Sequence, residues 1–348
     1  MKNKNISIVI PICTPKREFI KIINRLLKQT VLPTEIILIN SKKYFDGSTL
    51  IIDEIEEKFQ NTVKVNRINE IFKEEIGVDG FGLYEAIRKI TKENYNKIPV
   101  YVYDIDLDQF DHGATRHEGI NAATGEYVLL MTQDAIPQNK FLIEEMITQM
   151  EDNQVVITYA RQLPKDDCRY IEKYTRAFNY GDKTIVKTKA DMETMGIKAI
   201  FCSDVCAMYN KSLYMQVGGF PGKTIFNEDG ILAYKALTEG FKVVYAADAR
   251  VIHSHNYSLT QQFRRNFDLG VSHKQFDYIF SSLASENEGI KLVKNTMLHL
   301  IESGKAYLIP SLILNTASKY LGYRLGKKYN KLPKELIIKC SMNERYWR

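Results

Sequence analysis

The sequence predicts an α/β fold built on a mostly parallel sheet flanked by helices, with a helical appendage at its C-terminal end. Three observations carry this expectation. Short apolar runs such as Ile6–Ile10, Glu35–Ile39 and Tyr127–Met131 alternate with stretches of helical periodicity, the pattern that βαβ units produce. From about Leu259 the short runs stop and long helical patterns replace them. The 348 residues are 45% hydrophobic and 26% charged, enough apolar material for a large buried core.

Ile6–Ile10 reads as a buried strand, with Pro11 closing it and a loop running to about Lys16. Ile22, Ile23, Leu26 and Leu27 fall at helical spacing within 19–29, and Glu35–Ile39 completes a β-α-β unit. Such a unit favours a parallel sheet whose ligand lies beyond the carboxyl ends of the strands. Strands are expected over 60–66 and 100–103 with a helix over 82–91 between them, then a polar loop over 104–112. A helix over 115–123, ended by Gly125, precedes the strand Tyr127–Met131, which delivers Thr132-Gln133-Asp134 to its tip. Past Pro137 the pattern predicts a helix over 141–150 and a strand over 155–159. A polar stretch over 163–198 then holds a helix near 170–178, and 199–209 returns to the sheet. A helix over 228–239 closed by Gly240 and a strand over 242–245 follow. The appendage shows helical patterns over 261–278 and 288–303, and an apolar segment beyond a break near Pro310. The division is therefore a body over 1–258, split near Pro137, and an appendage over 259–348.

Net charge is +6, and it is concentrated at one end: between Lys319 and Arg348 nine basic residues face only Glu335 and Glu344. The body is close to neutral, which argues against a nucleic-acid-binding surface and for a local anionic partner at the tail. The five cysteines have no C-x-x-C spacing, so neither a zinc site nor a disulfide framework is expected, and a reducing compartment fits. No stretch reaches the roughly 18 apolar residues of a spanning helix, and the opening residues are too short for a signal segment. Export and membrane spanning are not expected.

The chemistry-bearing residues form an ordered set. Asp134 follows a strand, Asn227-Glu228-Asp229 opens a helix, and His253-Ser254-His255 comes 24 residues after Asp229. Taken singly, Asp134 equally fits a turn, Asp229 a helix cap, and either histidine a structural role. Taken together, one carboxylate could deprotonate a hydroxyl while an Asp and a His hold a divalent cation against a diphosphate. A rival triplet, Asp104-Ile105-Asp106-Leu107-Asp108, is expected to be a solvated loop.

The segments Ile8-Val9-Ile10-Pro11, Gln29-Thr30, Glu35–Ile39, Asp46-Gly47-Ser48-Thr49, Gly113-Ala114-Thr115-Arg116-His117-Glu118-Gly119 and Ala123-Thr124-Gly125-Glu126 through Asp134 resemble family 2 glycosyltransferases of the GT-A fold. Phe110-Asp111-His112-Gly113, Leu130–Ala135, Phe226–Asp229, Val251–Ser258 and Lys319–Gly326 are similar to the rhamnosyltransferase branch. The resemblance implies a nucleotide-binding half to about residue 137 and an acceptor half over 138–258. It implies donor contacts from Pro11, Asn40, Arg116, Thr132, Gln133 and Asp134, and a Mn²⁺ or Mg²⁺ held by Asp134 and His253. Asp229, beside Glu228, would be the general base of an inverting displacement. Asp204, Gly219, His255 and Arg264 are assigned to the acceptor or sugar. Where the family usually has Asp this chain has Asn40, and Thr132 replaces an acidic residue.

The expected donor is dTDP-L-rhamnose and the acceptor a lipid-linked or growing surface glycan. The protein would then sit in the cytoplasm on the inner face of the membrane, with 259–348 docking on anionic lipid or forming a homodimer. Alternatives are the same fold using UDP-glucose or UDP-galactose, a nucleotidyltransferase, or a non-catalytic glycan-binding relative.

Overall fold

The computed structural model describes residues 4–42, 48–76, 82–90, 96–283 and 286–348. Asp46-Gly47 and the end of the expected 82–91 helix lie outside them. Among the described residues ten strands form one sheet: β1 (Ile6–Ile12), β2 (Glu35–Lys42), β3 (Val63–Arg67), β4 (Ile98–Asp106), β5 (Tyr127–Met131), β6 (Ile136–Pro137), β7 (Val155–Leu163), β8 (Ile185–Lys187), β9 (Cys206–Asn210) and β10 (Lys242–Ile252). Their order is β3-β4-β2-β1-β5-β9-β7-β10-β6, with β8 paired to β10. Strands β3, β4, β2, β1 and β5 are all parallel, as is β7 with β10, while β9 runs antiparallel between β5 and β7.

Alternation along the central strands explains why both faces of the sheet are apolar. Ile6, Ile8, Ile10 and Ile12 of β1 join Ile36 and Leu38 of β2 and Leu129 of β5 in one core. Val9, Ile37, Ile39, Val128 and Leu130 point into the other. A polar lock joins the two halves of this layer. Ser7 Oγ donates to the buried Glu35 Oε1 at 2.5 Å, which also accepts from Thr124 N at 2.6 Å, while Gly125 N donates to Ser7 Oγ at 2.8 Å. The Ala-Thr-Gly-Glu segment therefore fixes where β5 begins relative to β1.

Several expected boundaries move, each for a pairing reason. β1 continues through Pro11 because Pro11 and Ile12 stay in register with Ile39 and Asn40 of β2. The expected loop over 104–112 is corrected: β4 continues to Asp106, pairing Asn40 with Asp104 and Lys42 with Asp106. A carboxylate is tolerated there because Asp104 accepts from Asn40 Nδ2 at 2.6 Å and Lys42 Nζ at 2.5 Å. Asp104 is thus a strand residue with partners; Asp108, beyond the strand, pairs with Arg345 at 3.3 Å. β10 runs past Tyr245 to Ile252 because it resumes pairing with β7 after an irregularity between Ala246 and Arg250. This extension carries His253 to the sheet edge that Asp134 reaches from the end of β5. Of 199–209 only Cys206 onward is strand, and the helix Ser48–Lys58 escaped the sequence reading.

The C-terminal helices are Leu259–Gln275, Asp277–Phe280, Glu286–Glu302, Ile309–Gly326 and Lys334–Cys340. Ser258 opens the first with a capping box to Gln261. Helices Leu259–Gln275 and Ile309–Gly326 cross with their backbones nearly touching. A Cβ at Gly322 would lie 2.2 Å from Phe263 O, and one at Gly326 2.1 Å from Phe267 O, so only glycine permits this approach. With that face of helix Ile309–Gly326 consumed, Pro310, Ile313, Leu314, Ala317, Tyr320 and Leu321 form an outward stripe at helical spacing, ending at Arg324 and Lys328. No helix among the described residues is long and apolar enough to cross a membrane.

Candidate active site

Two clusters of titratable groups gather at one edge of the sheet. The first joins the ends of β5 and β10. Asp134 Oδ2 lies 3.5 Å from His253 Nε2 and 3.4 Å from His255 Nε2, and the three ligand atoms all fall within 4.8 Å of one another. Burial lowers the proton affinity of His253, against the pull of Asp134, and brings His255 down to about 4. Burial alone would raise the Asp134 carboxyl, but the imidazoles of His253 and His255 beside it bring it below its ordinary range. Desolvation dominates at both imidazoles and keeps them neutral at pH 7. The cluster then offers two nitrogen lone pairs and a carboxylate to a cation, a donor set suited to Mn²⁺.

Behind His253 lies a hydrogen-bonded support. His253 Nδ1 faces Gln162 Oε1 of β7 at 3.0 Å, and Arg176 Nη1, from the helix Tyr170–Asn179, donates to the same oxygen. Gln162 Nε2 donates to Tyr180 Oη at 2.6 Å and Ser203 Oγ at 2.8 Å.

The second cluster surrounds the start of the helix Glu228–Thr238. The buried Arg116 guanidinium, from the helix His112–Ala122, pairs through Nη1 with Glu228 Oε1 at 3.2 Å and through Nε with Asp204 Oδ2 at 3.5 Å. Asp229 Oδ1 accepts from Gly230 N at 2.7 Å and Oδ2 from Asp204 N at 3.2 Å, while Tyr209 Oη donates to Asp204. Two carboxylates thus pair with one guanidinium, and the third, Asp229, acts on it through charge alone. Burial first, then Asp204 and Glu228, push Asp229 well above the usual carboxylate range; burial also raises Asp204, against the opposing pull of Arg116. A carboxylate raised in this way is better matched to taking a proton near neutral pH than an ordinary Asp.

The β1 loop is tied to the first cluster by Gln133, whose amide donates to Cys13 O at 2.9 Å and accepts from Cys13 N at 2.8 Å. Thr14 just beyond has φ of 46°, and Asn227, immediately before Glu228, has φ of 65°; they are the only non-glycine residues with positive φ among those described. Both strained positions border the clusters, as is common where geometry is fixed for function.

The structure brings Asp134, His253 and His255 together, and separately Arg116, Asp204, Glu228 and Asp229. Pro11 and Asn40 lie at the carboxyl ends of β1 and β2, and Thr132 N bonds Val205 O at 3.1 Å, setting the Asp134 turn against the segment before β9. Two assigned residues lie elsewhere. Gly219 makes a left-handed turn packed against His117 and Tyr214, and Arg264 pairs with Glu344 at 3.5 Å. Sequence reasoning missed Gln162, Arg176 and Tyr209; no local pattern marks a Gln in a strand as the partner of a histidine 91 residues away.

A family model described as Glycosyl transferase family 2 matches residues 82–218. The O-antigen chain rhamnosyltransferase WbaN of Salmonella anatum is 38% identical over 262 residues, 75% of this chain and 82% of that protein. The O-antigen chain rhamnosyltransferase RfbN of Salmonella typhimurium strain LT2 is 36% identical over 250 residues, 71% of this chain and 79% of that protein. Among solved structures, the mannosyltransferase PcManGT from Pyrobaculum calidifontis, in complex with GDP-Man and Mn²⁺, has a TM-score of 0.53 at 13% identity, covering 98% of this chain and 87% of that one. That likeness is one of fold. Sequence kinship over most of its length and a shared architecture place this chain among the family 2 glycosyltransferases, as an enzyme of the GT-A fold in their rhamnosyltransferase-like branch.

Proposed function

We propose that the chain transfers L-rhamnose from dTDP-L-rhamnose to a lipid-linked or growing surface polysaccharide, with inversion and with a divalent cation. The reading rests on two features, the Asp134–His253–His255 cluster and a separate carboxylate, Asp229, whose burial raises its proton affinity. Asp229 takes the acceptor proton as the hydroxyl attacks the anomeric carbon. Glu228 is engaged by Arg116, which favours its neighbour as the base. A cation held by Asp134 and His253, with His255 in reach, would neutralise charge growing on the nucleoside diphosphate. Two imidazoles with one carboxylate favour Mn²⁺ over Mg²⁺, which prefers an all-oxygen shell. The named rhamnosyltransferase relatives support the sugar, and the GDP-Man and Mn²⁺ of the Pyrobaculum calidifontis mannosyltransferase support the class of donor and metal.

The test is thermal unfolding of the full chain with a panel of nucleotide sugars, each with and without Mn²⁺. dTDP-rhamnose with Mn²⁺ at about 100 times its dissociation constant should add roughly 2.7 kcal/mol. A larger shift with UDP-glucose or UDP-galactose would reassign the donor, and no shift with any nucleotide sugar would overturn the reading.

A lipid-linked acceptor would be met at the cytoplasmic leaflet, where the C-terminal helices would dock. Ile313, Leu314, Tyr320 and Leu321 are 53–59% exposed on one stripe, with Arg324 and Lys328 at its end, a pairing suited to an anionic bilayer surface. Co-sedimentation with phosphatidylglycerol vesicles should be lost in the double variant Leu314→Glu, Leu321→Glu and weakened by salt. Vesicle binding independent of lipid charge, or a dimer that the same variant dissolves, would assign the stripe to another partner.

A further inference from the structure

Gln162 is 3% exposed, and all its polar atoms are engaged. Arg176 settles which way round the amide lies, because a guanidinium can only donate and so must face the carbonyl oxygen. The opposite side agrees: Nε2 meets Tyr180 Oη and Ser203 Oγ, hydroxyls able to accept. Oε1, which can only accept, lies 3.0 Å from His253 Nδ1. The proton of a neutral His253 is therefore on Nδ1, and Nε2 carries the lone pair. That lone pair faces Asp134 Oδ2 at 3.5 Å, acceptor against acceptor, an arrangement that a cation between them satisfies.

We propose that Gln162, oriented by Arg176, is a positioning residue that fixes His253 as the Nδ1–H tautomer and so commits Nε2, together with Asp134, to one divalent cation. The inference rests on the metal reading above and adds to it the chain of contacts Arg176–Gln162–His253 that prepares the ligand. Partners of this kind, one step behind a metal-binding imidazole, typically contribute 10–100-fold in metal affinity. The contacts span the helix Tyr170–Asn179, β7 and the end of β10, so the ligand's orientation depends on three separate elements.

The experiment measures Mn²⁺ affinity by electron paramagnetic resonance of the full chain with dTDP present, for wild type, Gln162→Met and Gln162→Glu. Met matches the volume but offers no acceptor, and should weaken Mn²⁺ about 10–100-fold. Glu keeps an oxygen for Arg176 and for His253 Nδ1–H, while the Tyr180 and Ser203 hydroxyls turn to donate to it. It should bind Mn²⁺ at least as tightly as wild type. A role in packing alone predicts the reverse order, since Met is buried easily and a carboxylate is not.

A histidine nitrogen spectrum of the metal-free wild type adds a measurement that needs no variant. It should show His253 protonated on Nδ1 and bare on Nε2 at slightly alkaline pH. Wild-type Mn²⁺ affinity in Gln162→Met, or an Nε2–H or doubly protonated His253, overturns the proposal while leaving the metal site standing. If the wild type itself binds no Mn²⁺ with dTDP, the metal reading falls, and this proposal with it.

Discussion

Replacing Asp229 by Asn separates basicity from structure. Asn can keep the 2.7 Å bond by presenting its oxygen to Gly230 N, but then turns an NH₂ toward Asp204 N, 3.2 Å from the present oxygen. Losing that longer bond costs about 1 kcal/mol. Against this, the variant removes one of three carboxylates crowded around Arg116, a relief of the same order. The unfolding temperature should therefore change little. Donor affinity should be retained too, because the proposed metal ligands belong to the other cluster and Asn leaves the Arg116–Glu228 pair in place. Turnover should fall by about 10²–10⁴-fold, equivalent to roughly 3–5 kcal/mol of barrier. That exceeds the expected structural change, so the kinetic loss would report the missing base.

The assay is single-turnover transfer to a glycan acceptor, with donor affinity measured on the same preparation. In the wild type the acid limb of the rate should lie above the ordinary carboxylate range, because burial raises Asp229, and the variant should lack it. Glu228→Gln loses the ion pair with Arg116 and should slow transfer less. Turnover within about threefold of wild type for Asp229→Asn would refute the assignment. A dead Glu228→Gln beside an active Asp229→Asn would move the base by one residue.

Asp134→Ala and His253→Ala should each abolish transfer and Mn²⁺ binding with dTDP while leaving the circular dichroism spectrum intact; unchanged Mn²⁺ titrations in both would remove them from the site. Burial raises Asp204 in the folded state above its unfolded value, so its stabilising contribution is complete below about pH 4 and is lost as pH rises through the folded value. Asp204→Asn should accordingly stabilise the protein at neutral pH, on the order of 1–3 kcal/mol, but not at about pH 4, and a pH-independent difference in melting temperature would contradict this. Gly326→Leu drives side-chain atoms into Phe267 O and should cost about 2–4 kcal/mol in chemical denaturation; a silent variant would mean that the two helices do not hold this contact in solution.

The parts of this molecule that could be read from sequence are those whose physics is local or periodic. Short continuous apolar runs in β1, β2 and β5 marked buried strands of a parallel sheet, and the run Tyr127–Met131 located Asp134 just beyond a strand tip. What escaped depends on contacts between distant segments. The Asp104 triplet looked like a loop because a strand does not ordinarily carry carboxylates. Asn40 and Lys42, more than 60 residues earlier, are what make Asp104 tolerable in β4. The same contact bears on the Asn40 departure, since Asp104 places a carboxylate against the side chain standing where the family usually has one.

Arg116 shows how far the meaning of a residue depends on the fold around it. Its position in a family-like segment pointed to the donor, yet it is buried between Asp204 and Glu228. A cation in that place does two things at once. It compensates enough negative charge for three acids to be buried together, and by holding Glu228 it leaves Asp229 as the carboxylate without a cationic partner within salt-bridge distance among the described residues. Arg116→Met should therefore disturb more than an ion pair. With the guanidinium gone, the acids must take up protons or the cluster must open, so activity at neutral pH should fall with stability, and lowering the pH should restore stability but not turnover. If stability and turnover instead recover together as pH falls, transfer does not need an ionised carboxylate in this cluster and the charge argument for Asp229 as the base fails.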